Sequence, residues 1–245
     1  LLRRELASRR WKPQVLALSG ATDPYQPVER RTEITRRCLE VLTECRNPVG
    51  VITKNRLVTR DADLLADLAS HGAASVTVSI TSLDPELQRL MEPRTSSPRL
   101  RLQAVEALAR AGIPVNVNVA PVIPGLNDHE IPEILAAAAA AGAGSAAWLL
   151  LRLPHGVAPL FSAWLERHYP ERRDKVLNRI RAVRGGGLND ARFRKRMRGE
   201  GFFAEQVSTL FDLSRRRAGL ARRGPELSTR AFRRPGGQQL GLFGE

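Results

Sequence analysis

Short apolar runs alternate with longer segments of helical periodicity along the first two thirds of the chain. The apolar runs cover residues 15–20, 49–53, 76–81, 115–120 and 146–153, and the helical patterns between them cover residues 28–45, 59–70, 98–111 and 131–141. This alternation is typical of parallel strands joined by right-handed helical crossovers. It predicts an α/β fold in which the sheet is either open or rolled into a barrel.

The pattern changes after residue 153. Three helical segments follow, at about 157–168, 172–183 and 202–218, and from residue 221 onward proline, glycine and arginine dominate. We therefore divide the chain into an α/β part at 1–155, a helical basic extension at 156–220 and a flexible tail at 221–245.

Two of the predicted strands carry polar side chains on one face. Thr77, Ser79 and Thr81 alternate with branched apolar residues in the third run, and Asn116 and Asn118 do so in the fourth. The interior of an ordinary parallel barrel is packed with valine, isoleucine and leucine. A polar second face therefore predicts a cavity that holds water or a ligand. The alternative is an antiparallel strand with one face in solvent, which the intervening helices disfavour.

Side chains with binding chemistry follow the predicted strands. Active sites of parallel sheets lie beyond the carboxyl ends of the strands, and Asp23, Lys54 and Arg152 occupy such positions. A lysine there can hold a carboxylate or a phosphate, or form a Schiff base if it is desolvated. The alternatives are a solvated loop lysine at position 54 and a simple turn residue at Asp23, which precedes a proline.

The positive charge is concentrated in the C-terminal part of the chain. The formal net charge is +14, and residues 151–245 hold 21 basic and 9 acidic side chains, against 18 and 16 in residues 1–150. A phosphate backbone would bind such clusters. Arginine outnumbers lysine 35 to 4, so a solvated, arginine-rich surface is the alternative. The candidate nucleic-acid contacts are Arg192, Arg194, Lys195, Arg196 and Arg198.

The cysteine content excludes a disulfide and an all-cysteine metal site. Cys38 and Cys45 are the only cysteines. A predicted helix separates them by about 10.5 Å, more than the roughly 7 Å that a disulfide tolerates. Two thiols alone do not hold zinc or an iron–sulfur cluster.

The sequence shows no membrane or secretion signal. No apolar run approaches the roughly 18 to 20 residues of a membrane span, and the N-terminus has no signal-peptide pattern. We therefore expect a cytoplasmic protein without a membrane partner. The chain begins at Leu1 within an amphipathic helical pattern, residues 1–10, so we expect that part of the protein precedes it.

Several ordered motifs resemble those of one enzyme family. They are Thr22-Asp-Pro-Tyr-Gln-Pro-Val-Glu29, Ile52-Thr-Lys54, Val78-Ser-Ile80, Met91-Glu-Pro-Arg94 and Ala120-Pro-Val-Ile-Pro-Gly-Leu-Asn-Asp128. Over roughly residues 1–220, their order and spacing resemble the spore photoproduct lyase-related branch of the radical S-adenosylmethionine (radical SAM) enzymes. The resemblance implies a partial (β/α)6 barrel with an open lateral mouth, followed here by the helical C-terminal extension.

The resemblance also implies roles for individual positions in binding S-adenosylmethionine. Thr22, in the turn with Asp23, matches the contact to the amino group, and Lys54 matches a lysine that pairs with the methionyl carboxylate. Ser79 falls where the family contacts the ribose or the carboxylate. The implied contacts that flank the adenine are Asn116, Asn118 and the backbone of Val119 and Ala120.

The family's cluster-binding motif, CxxxCxxC, does not occur in this chain. In the family its three thiolates hold a [4Fe–4S] cluster, and we expect them upstream of Leu1. The resemblance implies that the complete protein takes an electron from a donor such as flavodoxin or ferredoxin. It would then cleave S-adenosylmethionine to a 5′-deoxyadenosyl radical, which abstracts hydrogen from the substrate. Without the cluster loop we expect these 245 residues to be inactive.

The basic C-terminal part makes a nucleic acid the expected substrate, and the family implies a role related to DNA repair. Spore photoproduct lyase has a hydrogen-donating cysteine just before the Thr/Ser-Asp pair, where this chain has Gly20 and its neighbours. The same repair reaction is therefore not implied. Two other classes stay open: a Schiff-base lyase or aldolase that uses Lys54, and a non-enzymatic nucleic-acid-binding protein. A binding protein has no need of polar strand faces.

The last residues resemble a docking peptide. Gln239, Leu240, Leu242 and Phe243 match the QLxLF pattern by which bacterial repair and replication proteins bind the DNA sliding clamp. A disordered tail can enter a groove with its glutamine hydrogen-bonded and its leucine and phenylalanine in an apolar pocket. The alternative is a strand or helix fragment that folds back on the barrel.

Overall fold

A parallel sheet forms the centre of the molecule. The computed structural model describes residues 1–190 and 195–235, with side chains throughout except at Lys195 and Arg196. Five strands follow one another in the order β1-β2-β3-β4-β5, and every neighbouring pair is parallel. The strands are β1 (Leu16–Leu18), β2 (Val49–Thr53), β3 (Ala74–Ile80), β4 (Val115–Val122) and β5 (Ser145–Leu150).

Helices connect the strands and continue after the last of them. In the described part of the chain they are α1 (Leu2–Ala7), α2 (Glu29–Thr32), α3 (Ile34–Cys45), α4 (Ala62–Ser70), α5 (Pro85–Met91), α6 (Pro98–Arg110), α7 (Ile131–Ala140), α8 (Val157–His168), α9 (Arg173–Val183), α10 (Lys195–Arg198) and α11 (Phe202–Arg217). Short 3₁₀ helices lie at Arg56–Asp61, Asp128–Glu130 and Pro170–Arg172.

The strand order confirms the predicted α/β fold. Strands that follow one another without reversal are typical of a barrel wall, whereas a doubly wound sheet reverses its order at a switch point. One face of the sheet is apolar and covered by helices. On that face Val78, Val117 and Ala146 are register partners across three strands, and all three are buried. The opposite face carries the polar side chains that the sequence predicted.

The structure adds two details to the predicted helices. The segment predicted as one helix over 28–45 is divided at Glu33, whose φ of 48° is left-handed and ends α2 before α3 begins. Helix α5 was not predicted; Asp84 caps it by accepting a hydrogen bond from the Glu86 amide, and Pro85 occupies its first turn. Asp-Pro is an ordinary helix start, but α5 is too short for a clear apolar period.

Residues 221–235, which we name the C-terminal strap, differ from the flexible tail that the sequence predicted. Ala221 forms a parallel bridge with Ser145 at the start of β5, and the Ser228 amide donates to the Gly72 carbonyl (2.8 Å) just before β3. Further contacts join the Arg233 amide to the Cys45 carbonyl (2.7 Å), and the Arg234 guanidinium to the carbonyls of Leu6, Ser8 and Trp11.

The strap is ordered because the amino ends of the strands present backbone groups that it pairs with, a tertiary effect that local composition does not reveal. Residues 236–245, which complete the predicted tail, lie outside the described residues. None of the described helices combines the length and the apolar character needed to cross a membrane.

Candidate functional site

The register of the sheet sorts the polar strand side chains into two rows. Thr77 and Asn116 are register partners, and so are Ser79 and Asn118. Residues two apart on a strand face the same way and lie about 6.6 Å from each other along it. The Ser79–Asn118 row is therefore nearer to the carboxyl ends of the strands than the Thr77–Asn116 row.

A cavity of about 520 Å³, which we name the upper cavity, lies at the carboxyl ends of the strands. Six of the candidate residues named from the sequence line it, namely Asp23, Lys54, Ser79, Asn118, Ala120 and Arg152. Its other walls are formed by Ser19, Ile52, Thr53, Pro121, Leu149, Leu150, Leu151 and Met197. A cation, hydroxyls and an amide thus face one space together with an aliphatic wall from β5.

Asp23 attaches the loop after β1 to the end of β2. Its Oδ1 accepts hydrogen bonds from the Thr53 hydroxyl (2.7 Å) and the Tyr25 amide (2.8 Å), and its Oδ2 accepts one from the Lys54 amide (2.7 Å). Because both carboxylate oxygens are used internally, Asp23 shapes the wall of the cavity. The turn role that the sequence left open for Asp23 accounts for its contact to the Tyr25 amide but not for the contacts to Thr53 and Lys54.

A buried network of hydrogen bonds and ion pairs also stabilises the loop after β1. The Tyr25 hydroxyl donates to Oδ2 of Asp61 (3.0 Å), a carboxylate with no solvent exposure. Arg36 and Arg60 both contact that carboxylate, at 3.1 and 2.8 Å. Burial and the nearby negative charge raise the pKa of Tyr25 well above its usual range, so its hydroxyl stays a donor.

A carboxylate, that of Glu92, fixes the position of the Lys54 side chain at the cavity. The Lys54 ammonium contacts Oε1 of Glu92 and lies 3.3 Å from the Thr81 hydroxyl, and its side chain is 27 % exposed. A Schiff-base nucleophile needs a free amine in a desolvated pocket. An ion-paired ammonium that remains partly solvated instead fits a residue that holds an anionic group.

Glu92 is itself held by Arg101. The Arg101 guanidinium lies 2.6 Å from Oε2 of Glu92, and the two side chains are only 1 % and 9 % exposed. Arg101 also donates to the carbonyls of Ser79 (3.0 Å) and Ser96 (2.8 Å). Burial by itself raises the pKa of Glu92, but Lys54 and Arg101 outweigh it, and the pKa lies below its ordinary value. Glu92 is therefore an anion that orders two cations.

Asn118 has an unused acceptor. Its Oδ1 is buried and has no hydrogen-bond partner among the described residues, although Asn118 lines the cavity. A buried oxygen without a donor costs about 1 to 3 kcal/mol. A ligand that donates a hydrogen bond at this position would remove that cost.

Two of the predicted contacts lie elsewhere. The Asn116 amide is satisfied within the sheet, since its Oδ1 accepts from Ser145 (3.0 Å) and its Nδ2 donates to Thr77 (3.4 Å). It lines a separate cavity of about 320 Å³ near the amino ends of the strands, which we name the lower cavity. Asn116 therefore lies one row closer to the amino ends of the strands than Asn118 and does not line the upper cavity. Thr22 is exposed, accepts a hydrogen bond from Gln26, and is not among the residues that line the upper cavity.

Helix α10 lies beside the mouth of the upper cavity. It packs on β5, and its Met197 is one of the lining residues. Arg198 stacks its guanidinium over the buried Trp148 ring at 5.7 Å, which anchors the helix. Of the other candidate nucleic-acid contacts, Arg192 and Arg194 lie outside the described residues, and only the backbone is described at Lys195 and Arg196.

Sequence reasoning did not identify three residues that organise the site. Glu92 belonged to a quoted motif but received no role. Arg101 had a visible signal, because it shares the buried face of α6 with Ala104, Val105 and Leu108, and a charge on an apolar helix face implies a partner. Buried Asn127 donates to the carbonyls of Thr81 (2.7 Å) and Pro121 (3.0 Å) and accepts from the Ile123 amide (2.7 Å).

The sequence matches one family and several longer relatives. Residues 2–138 match the model of the Radical SAM superfamily. Uncharacterized proteins of Mycobacterium bovis and Mycobacterium tuberculosis are 36% identical over 173 residues, which is 70% of this chain and 51% of each relative. An uncharacterized protein of Methanocaldococcus jannaschii is 31% identical over 113 residues, 46% of this chain and 42% of that protein. The chain spans about half the length of the curated relatives it matches.

Solved structures of one enzyme share the fold. A point mutant of spore photoproduct lyase superposes with a TM-score of 0.59 at 14% identity, covering 89% of this chain and 63% of that chain. A double mutant of the enzyme with bound AdoMet and dinucleoside spore photoproduct gives a TM-score of 0.50 at 20% identity, covering 69% of this chain and 49% of that chain.

Proposed function

The chain belongs to the Radical SAM superfamily, and from this premise we propose that its upper cavity binds S-adenosylmethionine for a radical reaction on a nucleic-acid substrate. S-Adenosylmethionine carries a carboxylate, an ammonium, a sulfonium, a ribose and an adenine. Its site therefore needs a cation, hydroxyls and amides next to apolar surface. Lys54, Ser79 and Asn118 supply that mixture in one space.

The observation that carries the proposal is the unpartnered Oδ1 of Asn118. This oxygen is a buried acceptor on the wall of the cavity that Lys54 also lines. Ribose hydroxyls and the adenine amino group are donors that can satisfy it. Because an apolar side chain at this position would avoid the cost of the orphan oxygen, the asparagine supports a ligand that donates.

Each lining residue has a distinct task in this proposal. Lys54 pairs with the carboxylate of the bound molecule, while Glu92 and Arg101 behind it keep the ammonium in place. Ser79 and Asn118 orient the nucleoside part, and Leu149 and Leu151 limit the access of water. S-Adenosylmethionine supplies, on one-electron reduction, a hydrogen-abstracting 5′-deoxyadenosyl radical.

The iron–sulfur cluster of the family does not fit the residues of this chain. Only two cysteines are present, and both lie on helix α3. Within the described residues no group of three His, Cys, Asp or Glu side chains could hold a metal. We therefore assign the three cluster thiolates to residues outside these 245, and the electron to an external donor such as flavodoxin or ferredoxin.

The mouth of the cavity suits an anionic substrate. Helix α10, with Lys195, Arg196 and Arg198 in its sequence, borders the cavity through Met197. The positive charge of this helix would attract a phosphate backbone laid over the mouth. A spore photoproduct lyase mutant with a similar fold has been solved with bound dinucleoside spore photoproduct. This supports a nucleic-acid substrate and a role in DNA repair as parts of the proposed function.

A titration of the ¹⁵N-labelled chain with S-adenosylmethionine tests the cofactor site. We expect saturable shifts in the side-chain amide of Asn118 and the backbone amides of Ser79 and Ala120. The side-chain amide of Asn116 is an internal control, because it lies on the same strand but lines the lower cavity. Shifts at Asn116 without shifts at Asn118, or no saturable shifts, would contradict the proposal.

The C-terminal sequence supports a second contact. We propose that Gln239, Leu240, Leu242 and Phe243, which lie outside the described residues, bind the DNA sliding clamp. Such a tether would raise the local concentration of the protein on DNA. Titration of a labelled peptide of residues 234–245 with purified clamp tests this. Binding should be saturable and lost on Phe243→Ala, and its absence would refute the contact.

A further inference from the structure

The amino ends of the strands carry a dense and unbalanced positive charge. Between residues 215 and 235 the sequence has eight arginines and a single acidic residue, Glu226. Seven of these arginines are exposed and form what we name the basic belt, namely Arg216, Arg217, Arg222, Arg223, Arg230, Arg233 and Arg234. In the described part of the chain, no ion pair involves any of the seven.

The strap fixes the course of this charge across the molecule. It begins at Ser145 on β5, passes Gly72 before β3 and reaches Cys45 before β2. It ends where Arg234 contacts the carbonyls of Ser8 and Trp11, between α1 and β1. From β5 to β1 there are four strand spacings of about 4.8 Å, so the belt extends over about 19 Å.

More positive charge lies at the far end of the belt. Arg234 binds the carbonyls of Ser8 and Trp11, and the loop between them carries Arg9 and Arg10, with Lys12 just after. All three of these cations are exposed. The positive charge of Arg234 is not neutralised by these contacts, because its partners are uncharged carbonyl oxygens.

We propose that the basic belt binds the phosphate backbone of a nucleic acid, at a surface separate from the mouth of the upper cavity. The belt lies at the amino ends of the strands and the cavity at their carboxyl ends, so the length of the sheet separates them. A nucleic acid on the belt leaves the mouth free. The surface is independent of the cofactor proposal and of the arginines near α10.

The chemistry of the belt favours nucleic acid over a membrane surface. Membrane-binding segments insert large apolar side chains beside their cations, and none of the exposed large apolar residues lies between residues 215 and 235. Phe232, the aromatic residue of the strap, packs against the core. Arginine also matches phosphate with paired hydrogen bonds. At about 3.4 Å per nucleotide along one strand, the belt spans five to six nucleotides.

Anisotropy titrations of a labelled DNA duplex with the full chain test the proposal. We expect the triple variant Arg222→Glu, Arg223→Glu, Arg230→Glu to bind at least tenfold more weakly than the wild type. The slope of log K against log salt should fall in magnitude by about 2 to 3, one phosphate for each arginine. The matched control is Arg31→Glu, Arg99→Glu, Arg167→Glu, which changes three exposed arginines away from the belt and should retain most of the affinity.

Three results would overturn the proposal: unchanged binding by the belt variant, an equal loss in the control variant, or binding to phosphatidylserine vesicles without binding to the duplex. A glutamine version of the triple variant, with the circular dichroism of each protein, excludes loss of folding as the cause. The S-adenosylmethionine titration should give the same shifts in all variants. A failure of the cofactor site is thereby distinguishable from a failure of the belt.

Discussion

Replacing Arg101 with leucine should lower the free energy of unfolding by about 3 to 5 kcal/mol, the cost of removing one partner from a buried ion pair. The guanidinium is 1 % exposed and neutralises Glu92, whose side chain is 9 % exposed. The change also leaves the carbonyls of Ser79 and Ser96 without the donors they have now. Urea denaturation, monitored by circular dichroism, measures the effect.

Arg99 provides the control for this prediction. It lies on the same helix but is exposed, and Arg99→Leu should change the free energy of unfolding by no more than about 0.5 kcal/mol. Adding Glu92→Gln to Arg101→Leu should recover part of the loss, because the buried carboxylate, which Arg101→Leu leaves with Lys54 as its remaining ion-pair partner, is then replaced by a neutral amide. A loss below about 1 kcal/mol in Arg101→Leu would show that Glu92 does not depend on this arginine.

Replacing Lys54 with methionine should weaken the binding of S-adenosylmethionine by about 1.5 to 3 kcal/mol, or roughly 10- to 150-fold. The reason is the loss of a charge-assisted contact to the methionyl carboxylate. The fold should persist, since Glu92 keeps Arg101 as its partner. Equilibrium dialysis of the wild type and the variant gives the two affinities.

The matched variant is Lys175→Met, which removes an exposed lysine of α9. Its affinity for S-adenosylmethionine should equal that of the wild type. Lys54→Arg should retain part of the affinity, because it keeps the cation but changes the geometry of the contact. Equal affinities of Lys54→Met and the wild type would remove Lys54 from the site.

The strands and most helices could be predicted from local pattern. The run over 49–53 coincides with β2 (Val49–Thr53), and the helix predicted at 157–168 coincides with α8 (Val157–His168). Both have a period and boundaries that the sequence itself displays. The path of the strap could not be predicted, because it depends on backbone groups of Gly72 and Cys45, which are distant in sequence.

The position of the candidate site could be predicted from the sequence, but its internal contacts could not. Lys54, Ser79 and Asn118 were predicted at the carboxyl ends of the strands because strand ends and polar alternation are visible in the sequence, and all three line the same cavity. Asn116 and Asn118 line different cavities. Predicting this would have required the register of the strands in the folded sheet, which the sequence does not display. The partnership of Glu92 with Lys54 joins residues 38 positions apart. No local pattern encodes such a contact.

The central claim is that this chain forms the cofactor-binding part of a radical SAM enzyme, and the most direct test is reductive cleavage. The intact protein, with its cluster segment, would be reconstituted anaerobically with iron and sulfide, reduced, and assayed for 5′-deoxyadenosine by chromatography. We expect 5′-deoxyadenosine to form from S-adenosylmethionine. The amount formed should decrease strongly in Lys54→Met and should be unchanged in Lys175→Met. A reduced protein that contains the cluster and forms no 5′-deoxyadenosine would contradict the claim.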